Sequence, residues 1–117
     1  MFGLPAELDL SFLVGPRLEQ VAIGENEIIF GFELSISLNV QGDFSLGAQE
    51  AETNFGSPRD AAEQAVALLG HAAVQESHTL SGDLFLTFDD GTRLSLHDTS
   101  EHYESYQIKR ADEIWVV

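Results

Sequence analysis

The 117-residue chain predicts an α+β fold: a mostly antiparallel sheet or partly open barrel, built from two related β-hairpin units with one helix at about 58–69 between them. Three observations carry this. Two stretches, 28–40 and 84–96, place large apolar residues at the period of two that marks half-buried strands. One stretch between them has helix start and stop signals around an apolar stripe of helical spacing. The two hairpins also correspond at a constant spacing, Phe32 to Phe88 (88 − 32 = 56) and Leu38 to Leu94 (94 − 38 = 56).

In chain order, Leu8, Leu10 and Phe12 alternate with Asp9 and Ser11, predicting a first strand that Gly15-Pro16 ends. Leu18 to Ile23 is a second extended stretch, closed by the turn-rich Gly24-Glu25-Asn26. Ile28, Phe30 and Phe32 then share one face, as do Ile36, Leu38 and Val40 after a short polar interruption. A single strand over the whole run would exceed the common length of about 5–6 residues, so a hairpin is predicted to turn at Glu33 to Ser35. Gln49 to Gly56 is polar and reads as a loop.

The helix follows. Ser57 offers a hydroxyl at the N-cap, Pro58 sits where its missing N–H does no harm, and Asp60 faces the positive end of the dipole. Ala62, Ala65, Val66 and Leu69 form its apolar stripe, and Gly70 supplies a stop that tolerates positive φ. Ala72 to Thr79 is a strand of weaker pattern. In the second hairpin a two-residue Asp90-Gly91 loop would split the apolar side chains between two faces. A three-residue loop, Asp89-Asp90-Gly91, pairs Leu86 with Leu94 and Leu84 with Leu96 and makes one face wholly apolar, which fixes the register with Gly91 left-handed. Tyr103 to Lys109 and Glu113 to Val117 complete the strands of a single domain over 1–117. The matched hairpins suit a duplication joined by the helix, and equally the general likeness of any two hairpins.

Twenty Asp and Glu against five Lys and Arg give a formal charge of −15, spread along the chain. Nucleic acid and anionic membranes are excluded as partners, because phosphate neutralisation needs a focused cationic face that Arg17, Arg59, Arg93, Lys109 and Arg110 are too few to make. The absence of cysteine removes disulfides, thiolate metal sites and a thiol nucleophile. The first residues carry no basic group and no secretory apolar stretch, and no run of apolar residues is long enough to span a bilayer, so cytoplasmic residence is the expectation.

Candidate chemistry is sparse. His97 and His102, with Asp98 and Glu101 between them, offer imidazole and carboxylate ligands, but a spacing of five suits neither one helical face nor one strand face, and solvated loop histidines are the simpler reading. His71 follows the helix stop, where a cation favours the dipole's negative end, and His78 has no evident partner. No serine elbow or phosphate loop is present, and Asp89-Asp90 suits a hairpin turn better than acid–base work. No catalytic residue, metal ligand or cofactor is therefore assigned. In Glu101-His102-Tyr103-Glu104-Ser105-Tyr106, Tyr106 shares strand parity with Glu104, which sets an aromatic beside a carboxylate. Tyr103, Glu104 and Tyr106 form a candidate binding surface for a basic partner, against the plainer reading of Tyr and Glu on the wet side of a sheet.

Several strings in order resemble a family of small bacterial domains of unknown function, found as stand-alone proteins of about this length. They are Asp9-Leu-Ser-Phe-Leu-Val-Gly15, Leu18-Glu-Gln-Val21, Ser35-Ile-Ser-Leu-Asn-Val-Gln-Gly42, Leu68-Leu-Gly70, Leu84-Phe-Leu-Thr-Phe-Asp-Asp-Gly91 with Leu94, and Tyr103-Glu-Ser-Tyr106 with Ile108. The last two are the most telling. The resemblance implies no activity and transfers no site residue.

Two functions of different class follow. The first is a non-enzymatic acidic domain, immunity- or antitoxin-like, that docks a basic protein. The second is a small-molecule-binding or metal-dependent enzyme using His97 and His102. The apolar edge strand Ile114-Trp-Val-Val117 favours a homodimer.

Overall fold

Period-two alternation becomes paired strands in the computed structural model, which describes residues 7–98 and 105–117. The elements are β1 (Leu18–Ile23), β2 (Ile28–Phe32), β3 (Ile36–Val40), β4 (Phe44–Ala48), β5 (Thr53–Phe55), α1 (Ala62–Val66), β6 (Ala73–His78), β7 (Leu84–Phe88), β8 (Thr92–Leu96), β9 (Tyr106–Arg110) and β10 (Glu113–Val116). They form two five-stranded antiparallel sheets, ordered β1-β2-β3-β9-β10 and β5-β4-β8-β7-β6, instead of a barrel. Both predicted hairpins hold their register: Phe32 pairs with Ile36, Leu86 with Leu94 and Leu84 with Leu96. Gly91 adopts the expected positive φ of 88°. In the first hairpin Leu34 and Ser35 take left-handed conformations without glycine, at φ 65° and 59°.

The sheet order shows an interleaving. Each half of the chain lays a three-stranded meander in one sheet and sends its last hairpin to the other. β1 maps onto β6 with a spacing of 55 (73 − 18 = 55), β2 and β3 onto β7 and β8 with 56, and β4 onto β9 with 62 (106 − 44 = 62). The irregularity between Leu18 and Gln20 in β1 recurs between Ala73 and Gln75 in β6. Arg17 and Ala72, equivalent residues, form an antiparallel bridge to each other, so a pseudo-twofold axis passes between them. The likeness thus extends through five strands and a bulge, as a duplication would leave it.

The core lies between the sheets. Ile28, Phe30, Leu38, Leu84, Leu86, Leu94 and Ile108 are buried from the inward strand faces. Phe32 stacks on Phe88 at 6.3 Å near the pseudo-axis, and Phe30 meets Phe44 edge-on at 6.4 Å. Full burial of such a side chain contributes about 1.5–3 kcal/mol.

Four expectations change. The predicted strand at Leu8 to Phe12 is a 3-10 turn over Ser11–Leu13, because Leu10 and Leu13 both enter the core while Phe12 stacks on Trp115 beneath Arg110. The loop at 49–56 contains β5, whose Phe55 is buried beside Phe44. β4, which no predicted element covers, is an interior strand of the second sheet, between β5 and β8. The helix opens as a 3-10 turn over Pro58–Ala61, is α-helical only over Ala62–Val66, and gains no cap bond from the Ser57 side chain. Burial of Ala61, Ala65 and Leu68 anchors it, and Gly70 turns the chain at φ 86°.

Candidate functional site

The predicted surface at Tyr103, Glu104 and Tyr106 is corrected at its described member. β9 pairs Tyr106 with Val40 and Ile108 with Leu38, so the stripe of Tyr106 and Ile108 is the inward one. Tyr106 is fully buried, and its hydroxyl donates to the Gly82 carbonyl at 2.5 Å. Burial, and then the charges of Asp98, Asp83 and Glu76, push its phenol well above the ordinary range. Tyr103 and Glu104 lie outside the described residues, as does His102.

Polar chemistry gathers around that tyrosine. Glu76 pairs with Leu86 and His78 with Leu84, so both side chains of edge strand β6 point inward. They share a hydrogen bond of 2.6 Å with each side chain 12% exposed, which supplies the partner His78 was expected to lack. Ser105 Oγ donates to Asp98 at 3.1 Å, and the Asp98 amide donates to the Asp83 carboxylate at 3.2 Å. Among the described residues no group of three His, Asp or Glu is arranged to hold a metal ion.

His97 instead meets Ser45, with Nε2 3.1 Å from Oγ, and Ser45 donates to Asn54 Oδ1 at 3.2 Å. The donor in the His97–Ser45 bond is set by the imidazole tautomer. His71, expected to cap the helix, pairs its Nδ1 with Asp89 at 2.6 Å.

The outer face of the second sheet holds the best-organised cation. Arg93 Nε donates to Glu52 at 3.0 Å, its guanidinium lies 4.8 Å from the Phe85 ring centre, and Ser95 Oγ donates to the other Glu52 oxygen. Arg93 and Phe85 line a groove of about 440 Å³ whose wall also includes Thr87, Gln75 and Ser77. Sequence reasoning missed Glu52 because it sits in a segment read as loop.

Electrostatically, the cations are largely spent within the molecule. Arg17 pairs with Glu33 at 3.2 Å, Arg93 with Glu52 at 3.0 Å and Arg110 with Glu113 at 2.7 Å. Two of the carboxylates occupy equivalent places beside the pseudo-axis. Glu33 accepts from the Arg17 amide at 2.7 Å and Asp89 from the Ala72 amide at 3.4 Å. Glu33 is held below the usual carboxylate range by that backbone bond and the Arg17 guanidinium; Asp89 is lowered chiefly by its bond to His71.

No helix among the described residues is long and apolar enough to cross a membrane. No curated protein and no solved structure matches the chain. Residues 10–117 match the family described as a family of unknown function, DUF6188, and the chain belongs to that family.

Proposed function

We propose that this chain is a non-enzymatic acidic binding domain that docks a basic protein in the cytoplasm, in the manner of an immunity protein or antitoxin. The charge of −15 carries the reading. Arg17, Arg93 and Arg110 each spend their charge on an internal carboxylate, so the surplus acids face solvent with little to offset them. Such a surface accelerates encounter with a cationic partner and selects against anionic ones.

The test is capture from the source cell at about 50 mM and 500 mM salt, with the dissociation constant of each purified partner then measured across that range. Attraction between exposed charges is screened within about 8 Å at physiological ionic strength. A basic partner whose affinity falls at least tenfold with salt supports the proposal; partners that are acidic, or held equally in high salt, refute it.

A further inference from the structure

The pseudo-symmetry exposes a difference between two equivalent sheet edges. Gly24 donates to the Glu27 carbonyl and Glu33 to the Arg17 carbonyl, which fixes the alternation of bonded pairs between β1 and β2. Val21 and Ile23 fall on the non-bonded positions opposite Phe30 and Ile28. Their N–H and C=O groups therefore point away from β2, and among the described residues nothing bonds to them. The same reasoning on β6, where Thr79 donates to the Asp83 carbonyl, turns the backbone groups of Glu76 and His78 outward.

The side chains at these four places differ. On β6 they are the inward-facing, hydrogen-bonded Glu76 and His78, polar groups of the kind that discourage strand addition, because an added strand would desolvate them further. On β1 they are Val21, packed against the core, and Ile23, 39% exposed. One edge is guarded and its equivalent is open. The open edge is flanked by the exposed carboxylates of Glu19 and Glu25.

Resting on the function proposed above, we infer that β1 is the docking site, and that the partner supplies an extended segment alternating apolar residues with Lys or Arg, added as a sixth strand to the first sheet. Backbone bonds to Val21 and Ile23 give the segment its register, its apolar side chains cover Ile23, and its basic side chains meet Glu19 and Glu25. A second copy of the chain is opposed by the shared charge of −15.

The experiment titrates the ¹⁵N-labelled full chain with the synthetic peptide Thr-Lys-Val-Lys-Val-Lys-Thr and with its Lys-to-Glu counterpart, following amide shifts and hydrogen exchange. The Lys peptide is expected to shift and protect the amides of Val21 and Ile23, and the Glu peptide to leave them unchanged. Val21→Pro removes an edge donor that the β1–β2 ladder does not use and should weaken binding at least tenfold. The pair Val21→Glu with Ile23→His, which transfers the β6 guard, should do the same. Circular dichroism and urea melts establish that each variant is folded. Salt-sensitive binding that maps to another surface, or that survives Val21→Pro, overturns the site while leaving acidic docking intact. No binding of the Lys peptide at low salt refutes both. Shifts on β1 that grow with protein concentration alone would make a second copy the occupant and overturn the foreign segment.

Discussion

The two sheets share strand order, bulge and hairpin registers, yet they have diverged most where polar groups are buried. Phe44 of the N-terminal half corresponds to Tyr106 of the C-terminal half, Val21 to Glu76 and Ile23 to His78. The link from β3 to β4 covers 41–43, while its equivalent from β8 to β9 covers 97–105. These changes meet at one corner, where Tyr106 and Ser105 lie among Glu76, His78, Asp83 and Asp98. Backbone geometry is thus common to the halves, and side-chain chemistry is not. An interior polar group is costly unless satisfied, so a corner that accumulated several of them is where the halves have specialised.

The largest predicted effect tests whether the halves are equal in the core. Phe32→Ala and Phe88→Ala remove the two members of the stack at the pseudo-axis, and each should cost about 3–5 kcal/mol. Urea unfolding followed by circular dichroism and by fluorescence of Trp115, which lies in the first sheet, should give one coincident transition for both variants. Because each half donates a hairpin to the other's sheet, neither sheet can unfold alone. Separate transitions for the two probes would break the interleaved picture.

Tyr106→Phe converts the specialised corner back to its equivalent, Phe44. The variant leaves the buried Gly82 carbonyl without its donor, a loss of about 1–3 kcal/mol. Its pH dependence has a definite sign. A tyrosine in the unfolded chain titrates near about pH 10, and the folded-state value is raised. The stability from Tyr106 is therefore fully present below about pH 10 and is lost as pH rises above it, since the unfolded state releases a proton that the folded state retains. Urea midpoints between pH 8 and 11 should show this alkaline decline in the parent and a shallower one in Tyr106→Phe.

What the sequence disclosed divides along the same line. Hairpin register was legible because a slip of one residue sends every side chain to the other face, and only one choice gathers Leu84, Leu86, Leu94 and Leu96. The spacing of 56 gave the first sign of the repeat, though not that β4-β5 and β9-β10 exchange sheets, since long-range pairing leaves no local signal. β4 escaped notice because Phe44, Ser45 and Leu46 are all buried, which blurs the alternation. The candidate surface went astray at Tyr106 for a related reason: parity says which residues share a face, and only the pairing with Val40 says that this face is the core. The links from Glu52 to Arg93 and from His97 to Ser45 join distant strands and have no spacing to read.

A smaller effect on stability tests the guarded edge. Replacing the β6 pair by the residues of its equivalent, Glu76→Val with His78→Ile, exchanges a mostly buried polar pair for apolar packing. Such exchanges are often neutral or mildly stabilising, so the midpoint should move by no more than about 1 kcal/mol. Self-association should rise instead, because a further open edge is created. Light scattering at matched concentrations measures this. A strongly destabilised variant that stays monomeric would mean that the pair holds the corner together and is not a guard.

The smallest effect concerns the carboxylates that the halves still share. Glu33 and Asp89 each accept a backbone bond from the first residues of their own half, beside the pseudo-axis, and both are depressed in the folded state. Their stabilisation is present above the ordinary carboxylate range of about 4 and is lost as pH falls through the lower folded values. Both are exposed to water, so each contribution is modest and weakens with salt. Glu33→Gln and Asp89→Asn should each lower the urea midpoint slightly at pH 6 and leave it nearly unchanged at pH 3, flattening the acid limb to a similar degree. Asp89 depends on His71 for its largest effect, whereas Glu33 depends on the Arg17 amide and guanidinium. His71→Ala should therefore reduce the Asp89 contribution and leave that of Glu33 unchanged. An Asp89 contribution that His71→Ala leaves unchanged would show that the backbone bond alone matters and that the halves remain chemically equal at the axis.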